Sequence, residues 1–257
     1  MLLPAARNLL RAACSTWRKP LPLVQMRRER ETEEGRLLAR PGSSGHGAPG
    51  LHRLTPDGGR SGLLFVPAAG GAAGPRPLAV MFHGAGGNAQ NGLASLMPLA
   101  EEMGMLLLAT DSADQTWDVI RGGYGPDVQA LDRALHETFG RVAVDPDRLA
   151  VGGFSDGASY ALSMGIMNGD LFTHVIAFSP GFMAPVRQEG APRLYVSHGT
   201  QDRVLPIDRC SRSIVPRVSR AGYDVTYHEF EGGHVVPPDI AREAVDWFLA
   251  PESEAEA

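Results

Sequence analysis

The chain has 257 residues, of which 43% are hydrophobic and 21% charged, and its formal net charge at pH 7 is −5. This composition is ordinary for a globular protein in water, and the negative charge argues against a nucleic-acid-binding surface. Cys14 and Cys210 lie far apart and predict no disulfide framework, which fits a reducing compartment. The sequence has neither an apolar run long enough to span a bilayer nor a spacing typical of metal ligands. We therefore expect no stable membrane insertion and no metal site.

The first 50 residues differ in composition from the rest of the chain. Residues 1–30 are rich in arginine and contain Glu29 as their only acidic residue, and residues 39–50 are rich in glycine, proline and serine. We predict a flexible basic tail and linker over residues 1–50. An organelle transit peptide and a surface-binding basic helix are the alternatives, and without a transit peptide we expect a cytoplasmic protein. A disordered acidic C-terminus is predicted over residues 251–257.

A single domain is predicted over residues 51–250, where apolar strands alternate with helices. Continuous apolar strands that alternate with helices predict an α/β fold, with a mostly parallel sheet covered by helices on both faces. A turn is predicted at residues 145–148, and Gly169 is expected to end a helix with a positive φ. The predicted strands are 61–67, 78–84, 105–111, 148–153, 174–180, 193–199 and 224–230, and the predicted helices are 91–104, 126–140, 157–167 and 238–250.

Ser155 lies in the sequence GFSDG, residues 153–157, which follows a predicted strand and opens a predicted helix. A nucleophilic serine on a sharp strand-to-helix turn requires this context. The strained backbone leaves room only for very small residues two positions away on either side, and Gly153 and Gly157 occupy those positions. The context therefore predicts a nucleophile rather than an ordinary hydroxyl in a glycine-rich chain.

Two further groups that acyl transfer requires follow other strands, at the sheet edge where open α/β folds bind ligands. A serine hydroxyl needs an adjacent base, and His234 follows a glycine pair after the strand at 224–230. The base needs a carboxylate to fix its tautomer, and Asp202 follows the strand at 193–199. Asp208 could replace Asp202, but it lies at an apparent helix start, where acids are common caps.

A tetrahedral intermediate also needs two backbone donors for its oxyanion. The amide of Asp156, directly after Ser155 at a helix N-terminus, is one candidate. The second is expected from the loop HGAGG, where Ala85 is the first choice and Gly86 the alternative.

Four segments in this order, HGAGGN, GFSDGA, HGTQDRVLP and GGH, resemble the α/β-hydrolase superfamily over roughly residues 55–250. The sequence is most similar to the phospholipase/carboxylesterase group, which includes predicted serine esterases. The resemblance implies an α/β-hydrolase fold without a cofactor, and a Ser155–Asp202–His234 catalytic triad. It also implies Ala85 and Asp156 as oxyanion donors. Dienelactone hydrolases carry cysteine, and haloalkane dehalogenases aspartate, where this chain has Ser155, which counts against both activities.

The expected substrate is a small-molecule carboxylic ester. About a dozen residues separate the strands at 174–180 and 193–199, too few for a cap domain. An open site favours short to medium acyl chains. A thioesterase or lysophospholipase and a polyester (polyhydroxyalkanoate-type) depolymerase are alternatives on the same triad. A non-catalytic scaffold on a hydrolase fold is the alternative from a different class. No oligomeric state is predicted.

The remaining aromatic and histidine residues near strand ends have two interpretations each. His83 and His198 precede glycines and are expected to hydrogen bond to loop backbone. His174 and His228 lie within predicted strands and are expected to be packing or surface residues. Four further residues either line an acyl pocket or simply pack: Trp117, Tyr124, Phe182 and Met183.

Overall fold

The computed structural model describes residues 32, 34–42, 45, 47–55, 62–69 and 74–251. One sheet contains eight strands: β1 (Gly50–Leu54), β2 (Gly62–Val66), β3 (Arg76–Phe82), β4 (Leu106–Thr110), β5 (Val144–Phe154), β6 (His174–Phe178), β7 (Arg193–Gly199) and β8 (Val225–Phe230). Their order across the sheet is β1-β2-β4-β3-β5-β6-β7-β8. The β1–β2 and β2–β4 pairs are antiparallel, and the other five pairs are parallel. The mostly parallel sheet predicted from the sequence is confirmed.

Helices cover both faces of this sheet, as the alternating pattern predicted. They are α1 (Ala89–Ala94), α2 (Met97–Met103), α3 (Pro126–Arg141), α4 (Asp156–Met167), α5 (Ser211–Arg220) and α6 (Pro238–Leu249). Apolar residues of α3, α4 and α5 share one buried cluster with Leu149 and Val151 of β5. Apolar residues of α1, α2 and α6 share a second cluster with Ala150. Successive side chains of a strand point to opposite faces, so the two clusters lie on the two sides of the sheet.

The segment at residues 91–104 is two helices rather than the single predicted helix. The first, α1, ends at Ala94, and α2 begins at Met97 with Pro98 in its first turn. Proline has no amide hydrogen, so Pro98 could not donate to the carbonyl of Ala94 in a continuous helix. The break follows from this one missing donor.

Two local features around the sheet edges differ from the predictions. Strand β1, a short edge strand in which exposed and less exposed residues alternate, was not predicted from the sequence. Residues 145–148, predicted as a turn, form a bulge inside β5 instead. Val144 pairs with Arg76 and Leu149 pairs with Leu78, so β5 has more residues than β3 between these two pairs.

Gly169 does not adopt the positive φ that was expected of it. A β-carbon at this position would overlap the backbone carbonyl oxygen of Glu189, and Gly169 forms an isolated parallel bridge with Gly190. The glycine therefore allows close backbone approach rather than a left-handed cap. Asn168 occupies the C-cap position of α4 instead.

Part of the predicted N-terminal linker packs on the domain, so the structure differs from a boundary at residue 50. Leu37 and Ala39 are buried in the cluster beneath α3 and α4. The amides of Leu38 and Ala39 donate to Asp132 Oδ1 at 2.6 and 2.8 Å. The amide of Leu37 donates to Asn168 Oδ1 at 2.8 Å. These partners replace water for the backbone amides of a segment that packs against α3 and the end of α4.

Two arginines fix the same N-terminal segment to the end of α4. Arg36 makes two hydrogen bonds to the carboxylate of Asp170, at 2.9 and 2.7 Å, and a third to the carbonyl of Met167 at 2.6 Å. Arg40 also contacts Asp170, at 2.6 Å. The predictions for residues 1–31 and 252–257 lie outside the described residues.

Candidate active site

Ser155 lies at the sharp turn between β5 and α4, with φ 58° and ψ −121°. A positive φ is uncommon for a non-glycine residue and costs of order 1–3 kcal/mol. A β-carbon on Gly153 would lie 2.5 Å from the carbonyl carbon of Gly157 and 2.8 Å from the oxygen of Phe82. A β-carbon on Gly157 would overlap that same Phe82 oxygen. Both glycines are therefore required by backbone contact, as the sequence context predicted.

The structure brings Ser155, His234 and Asp202 into one chain of hydrogen bonds. His234 Nε2 lies 2.8 Å from Ser155 Oγ, and His234 Nδ1 lies 2.6 Å from Asp202 Oδ2. In this arrangement the Ser155 hydroxyl donates to Nε2 and the Nδ1–H group donates to the carboxylate. Ser155 is 8% exposed, so protein encloses most of its surface. The three residues come from the carboxyl ends of β5, β7 and β8.

The carboxylate of Asp202 receives donors on both oxygens. The amides of Val204 and Leu205 each donate to Oδ1 at 2.8 Å. Burial alone would raise the pKa of Asp202, but the hydrogen bonds from Leu205, His234 and Val204, together with the charge of His234, outweigh it and hold this pKa below its ordinary value. A buried carboxylate with these partners stays ionised and keeps the imidazole oriented.

The hydrogen bonds of the backbone amides near Ser155 distinguish between Ala85 and Gly86, the two candidate oxyanion donors in the HGAGG loop. The Gly86 amide already donates to the carbonyl of Gln115 at 2.6 Å, whereas no backbone acceptor is assigned to the Ala85 amide within the described residues. The amide of Asp156 is the first of α4 and has no acceptor within the helix. Ala85 and Asp156 therefore remain the candidate oxyanion donors, whereas the amide of Gly86 already has an acceptor.

The structure places in different environments the four residues that were expected either to line a pocket or to pack. Trp117 is 0% exposed and stacks on Tyr160, with ring centroids 4.8 Å apart, so it belongs to the core and not to a pocket surface. Tyr124 is partly buried, and its hydroxyl donates to the carbonyl of Ala184 at 2.7 Å. Phe182 and Met183 are partly exposed. They remain candidates for contact with a substrate.

The expected backbone contacts of His83 and His198 are present. His83 Nδ1 lies 2.7 Å from the carbonyl of Gly84, and His198 Nε2 lies 2.8 Å from the carbonyl of Leu205. Asp208 does not contact His234 but pairs with Arg212 at 2.7 Å, so it is no rival to Asp202.

The two strand histidines have the packing and surface positions that were expected. His174 is buried against Trp247, and burial, followed by the charges of Arg193 and Arg148, lowers its pKa to about 4. His228 is partly exposed and pairs with Glu243 at 2.8 Å.

Two groups of residues around the site were not predicted from the sequence. The ring of Phe154 packs against that of His234, with centroids 4.6 Å apart. Val204 and Val235, which follow Asp202 and His234 in the chain, are 65% and 52% exposed. The signal was their position next to the predicted triad, since each must lie at the same sheet edge.

Within residues 32–251, as far as they are described, no cluster of His, Cys, Asp and Glu could hold a metal ion. No helix in that same part of the chain is both long and apolar enough to cross a bilayer.

Comparison with known sequences gives limited similarity. No protein-family model matches the chain. A curated relative, described as a putative esterase, NocK, from Nocardia uniformis subsp. tsuyamanensis, is 29% identical over 147 residues. The match covers 53% of this chain and 43% of the relative, so the chain spans less than half of that protein's length.

Solved structures give a broader match. The crystal structure of the esterase PE8 is 23% identical, with a TM-score of 0.58 over 74% of this chain and 97% of the other. The S-formylglutathione hydrolase FrmB of Staphylococcus aureus is 12% identical, with a TM-score of 0.61 over 80% of this chain and 100% of the other. Together with the eight-stranded sheet, these similarities establish the α/β-hydrolase fold.

Proposed function

We propose that this α/β-hydrolase-fold protein is a serine hydrolase that cleaves carboxylic esters, with Ser155 as the nucleophile. The observation that carries the proposal is the pair of hydrogen bonds from Ser155 to His234 and from His234 to Asp202, at 2.8 and 2.6 Å. The strained turn at Ser155 and the similarity to the structure of the esterase PE8 support the same conclusion.

In the first half of the reaction, His234 Nε2 removes the proton of Ser155 as Oγ forms a bond to the ester carbonyl carbon. The carbonyl electron pair moves onto oxygen, and the amides of Ala85 and Asp156 donate to the resulting oxyanion. The charge of Asp202 stabilises the imidazolium that forms. The bond to the leaving alcohol then breaks, and His234 gives its proton to that alcohol.

The second half reverses these roles with water. His234 removes a proton from water, whose oxygen adds to the acyl carbon, and a second oxyanion forms at the same two amides. The bond from carbon to Ser155 Oγ breaks, and the serine takes back the proton from His234. The products are one alcohol and one carboxylic acid, and each proton transfer uses His234.

Short to medium acyl chains are the proposed substrates. Residues 179–192, between β6 and β7, contain no helix, so no cap is built from that described segment. An open site buries little of a long acyl chain and gains little affinity from it. The exposed Val204 and Val235 supply apolar surface beside the triad. A series of p-nitrophenyl esters from acetate to palmitate, measured beside acyl thioesters, separates this proposal from the thioesterase and lysophospholipase alternatives.

Covalent labelling by a fluorophosphonate tests the enzymatic role directly. We expect the wild-type protein to be labelled on Ser155, and Ser155→Ala to lose both labelling and hydrolysis of p-nitrophenyl butyrate. Ser213→Ala is a matched control, because Ser213 is an exposed serine on α5. An unlabelled wild-type protein, or hydrolysis within tenfold of wild type in folded Ser155→Ala, would instead indicate a non-catalytic scaffold or a different nucleophile.

A further inference from the structure

Residues 115–117, termed the brace here, hold the loop that carries Ala85. The carbonyl of Gln115 accepts from the Gly86 amide at 2.6 Å. Trp117 Nε1 donates to the carbonyl of His83 at 2.9 Å. These two bonds fix the backbone on both sides of Ala85, the candidate donor in its loop.

The middle residue of the brace reaches the other proposed donor. Thr116 Oγ1 donates to Asp156 Oδ2 at 2.7 Å, across 40 residues of sequence. Asp156 directly follows Ser155 and opens α4. Three consecutive residues therefore contact both halves of the proposed oxyanion hole.

The brace is itself held at both ends by one carboxylate. The amides of Ala113 and Asp118 donate to the two oxygens of Asp127, at 2.6 and 2.8 Å. A third bond, from the Ser112 amide to His83 Nε2 at 3.2 Å, joins the start of this segment to the same loop as Trp117 does. These hydrogen bonds hold the segment in place, so the side chain of Thr116 can restrain the group that it contacts.

We propose that Thr116 is a positioning residue for ester hydrolysis, which aligns the two oxyanion donors through its hydrogen bond to Asp156. The inference rests on the proposed function. Oxyanion donors act by being oriented before charge develops, so loss of their alignment lowers the rate more than it weakens substrate binding. Asp156 also places a carboxylate one residue from the nucleophile, and the Thr116 hydroxyl fixes where that negative charge lies.

Thr116→Val tests this role, because valine keeps the shape of threonine and removes only the hydroxyl donor. We expect kcat for p-nitrophenyl butyrate to fall about 10- to 100-fold, since small misplacements of catalytic groups have effects of this order, with KM changed less than about threefold. Inhibition by butylboronic acid, whose tetrahedral adduct resembles the intermediate, should weaken in parallel. Thr116→Ser restores the hydroxyl and should recover most of the lost rate.

Thr138→Val is the matched control, because the Thr138 hydroxyl bonds only within α3, to the carbonyl of Ala134 at 2.8 Å. This variant should keep wild-type kcat. The double variant with Asp156→Ala tests the route: if Thr116 acts through Asp156, then Thr116→Val should cause almost no further loss in the Asp156→Ala background.

Three results would overturn the inference. They are a Thr116→Val variant within about threefold of wild-type kcat, a Thr116→Ser variant as impaired as Thr116→Val, and fully additive losses with Asp156→Ala. Thermal melting and fluorophosphonate labelling of each variant keep the two proposals separate. Failure of the proposed function removes labelling from the wild-type protein, whereas failure of this inference leaves an active, labelled wild type.

Discussion

His198 Nε2 lies 3.2 Å from Asp202 Oδ2, the same carboxylate oxygen that faces His234. Its ring is fixed by Ser211, whose hydroxyl lies 2.7 Å from Nδ1, and by the carbonyl of Leu205. Burial lowers the pKa of His198, with a smaller contribution from the charge of His234. A neutral ring that donates from Nε2 therefore accepts from Ser211 at Nδ1. Every group that faces the two oxygens of Asp202 is then a hydrogen-bond donor. A protonated carboxyl group would direct its own hydrogen at one of these donors, so Asp202 must be a charged carboxylate.

This donor pattern predicts the effect of Asp202→Asn. Two backbone amides already require an oxygen at the Oδ1 position, so the new NH₂ group must face His234 and His198. His234 would then accept at Nδ1 and carry its proton on Nε2, where it cannot remove the proton of Ser155. We expect kcat to fall by about 10⁴, the order known for the wrong tautomer in serine proteases. Steady-state kinetics with p-nitrophenyl butyrate measures this loss.

Asp208→Asn is the control for that variant. Asp208 is exposed and pairs with Arg212, so this substitution should leave kcat within about twofold of wild type and change stability by less than about 1 kcal/mol. Equal losses in both variants, or a larger loss in Asp208→Asn, would contradict the assignment of Asp202.

Gly157→Ala should inactivate and destabilise the protein. The added methyl group would overlap the carbonyl oxygen of Phe82, so the turn that presents Ser155 must shift. We expect a loss of about 1–3 kcal/mol in the free energy of unfolding, measured by urea denaturation, and almost no ester hydrolysis.

Gly140→Ala is the matched glycine substitution on α3. A β-carbon at Gly140 has open space around it, so alanine should stabilise the helix by about 0.5–1 kcal/mol and leave activity unchanged. A Gly157→Ala variant as stable and active as Gly140→Ala would show that close backbone contact does not constrain the turn.

Leu37→Ala should destabilise the domain although it lies in the predicted linker. Leu37 is 0% exposed and packs in the main cluster, and removal of a buried leucine costs about 2–5 kcal/mol. We expect the melting temperature to fall by at least about 5 °C, and a variant without residues 1–49 to fall at least as far. The burial of Leu37 thus counts against a flexible linker that extends to residue 50, while every proposed catalytic residue lies beyond residue 80.

Leu51→Ala provides the exposed counterpart, since Leu51 is 47% exposed on β1. Its melting temperature should stay within about 2 °C of wild type. If Leu37→Ala and the truncated protein have the same melting temperature as the wild type, then residues 34–42 contribute nothing to the stability of the folded domain in solution.

Asp118→Asn should change stability in a pH-dependent way. Burial, and then the charge of Asp127, raises the pKa of Asp118 from 3.8 to about 6. The folded state therefore binds the proton more tightly than the unfolded state, and the wild type loses stability as pH rises from about 4 to about 6. Asparagine does not titrate, so the variant does not lose stability through this residue as the pH rises.

The measurement compares melting temperatures of wild type and Asp118→Asn at pH 4.5 and 7.5. The difference, variant minus wild type, should increase by about 2–6 °C at the higher pH, which corresponds to about 1–2 kcal/mol. Any packing cost of the amide is present at both pH values and cancels in this comparison. A constant or decreasing difference would contradict a raised pKa for Asp118.

The sequence by itself determined the α/β architecture and the three residues that the structure joins by hydrogen bonds. These follow from local signals: apolar runs for buried strands, glycines two positions on either side of Ser155, and polar residues placed directly after strand ends. Such signals depend on neighbours in the chain, so they can be read without knowing what packs where. The helix break at Pro98 and strand β1 also depend on residues close together in the chain, but neither was predicted.

Only the tertiary structure decided which groups are used elsewhere and which are left free. The bond from Gly86 to Gln115 leaves Ala85 as the candidate donor in its loop, and the stack on Tyr160 buries Trp117. The segment around Leu37 is held to the core by distant partners, since Asn168 accepts from the amide of Leu37 and Asp132 accepts from the amides of Leu38 and Ala39. Each of these outcomes depends on contacts between distant segments, and such contacts compete for the same amides and the same buried space. No pattern within one segment records the result of that competition.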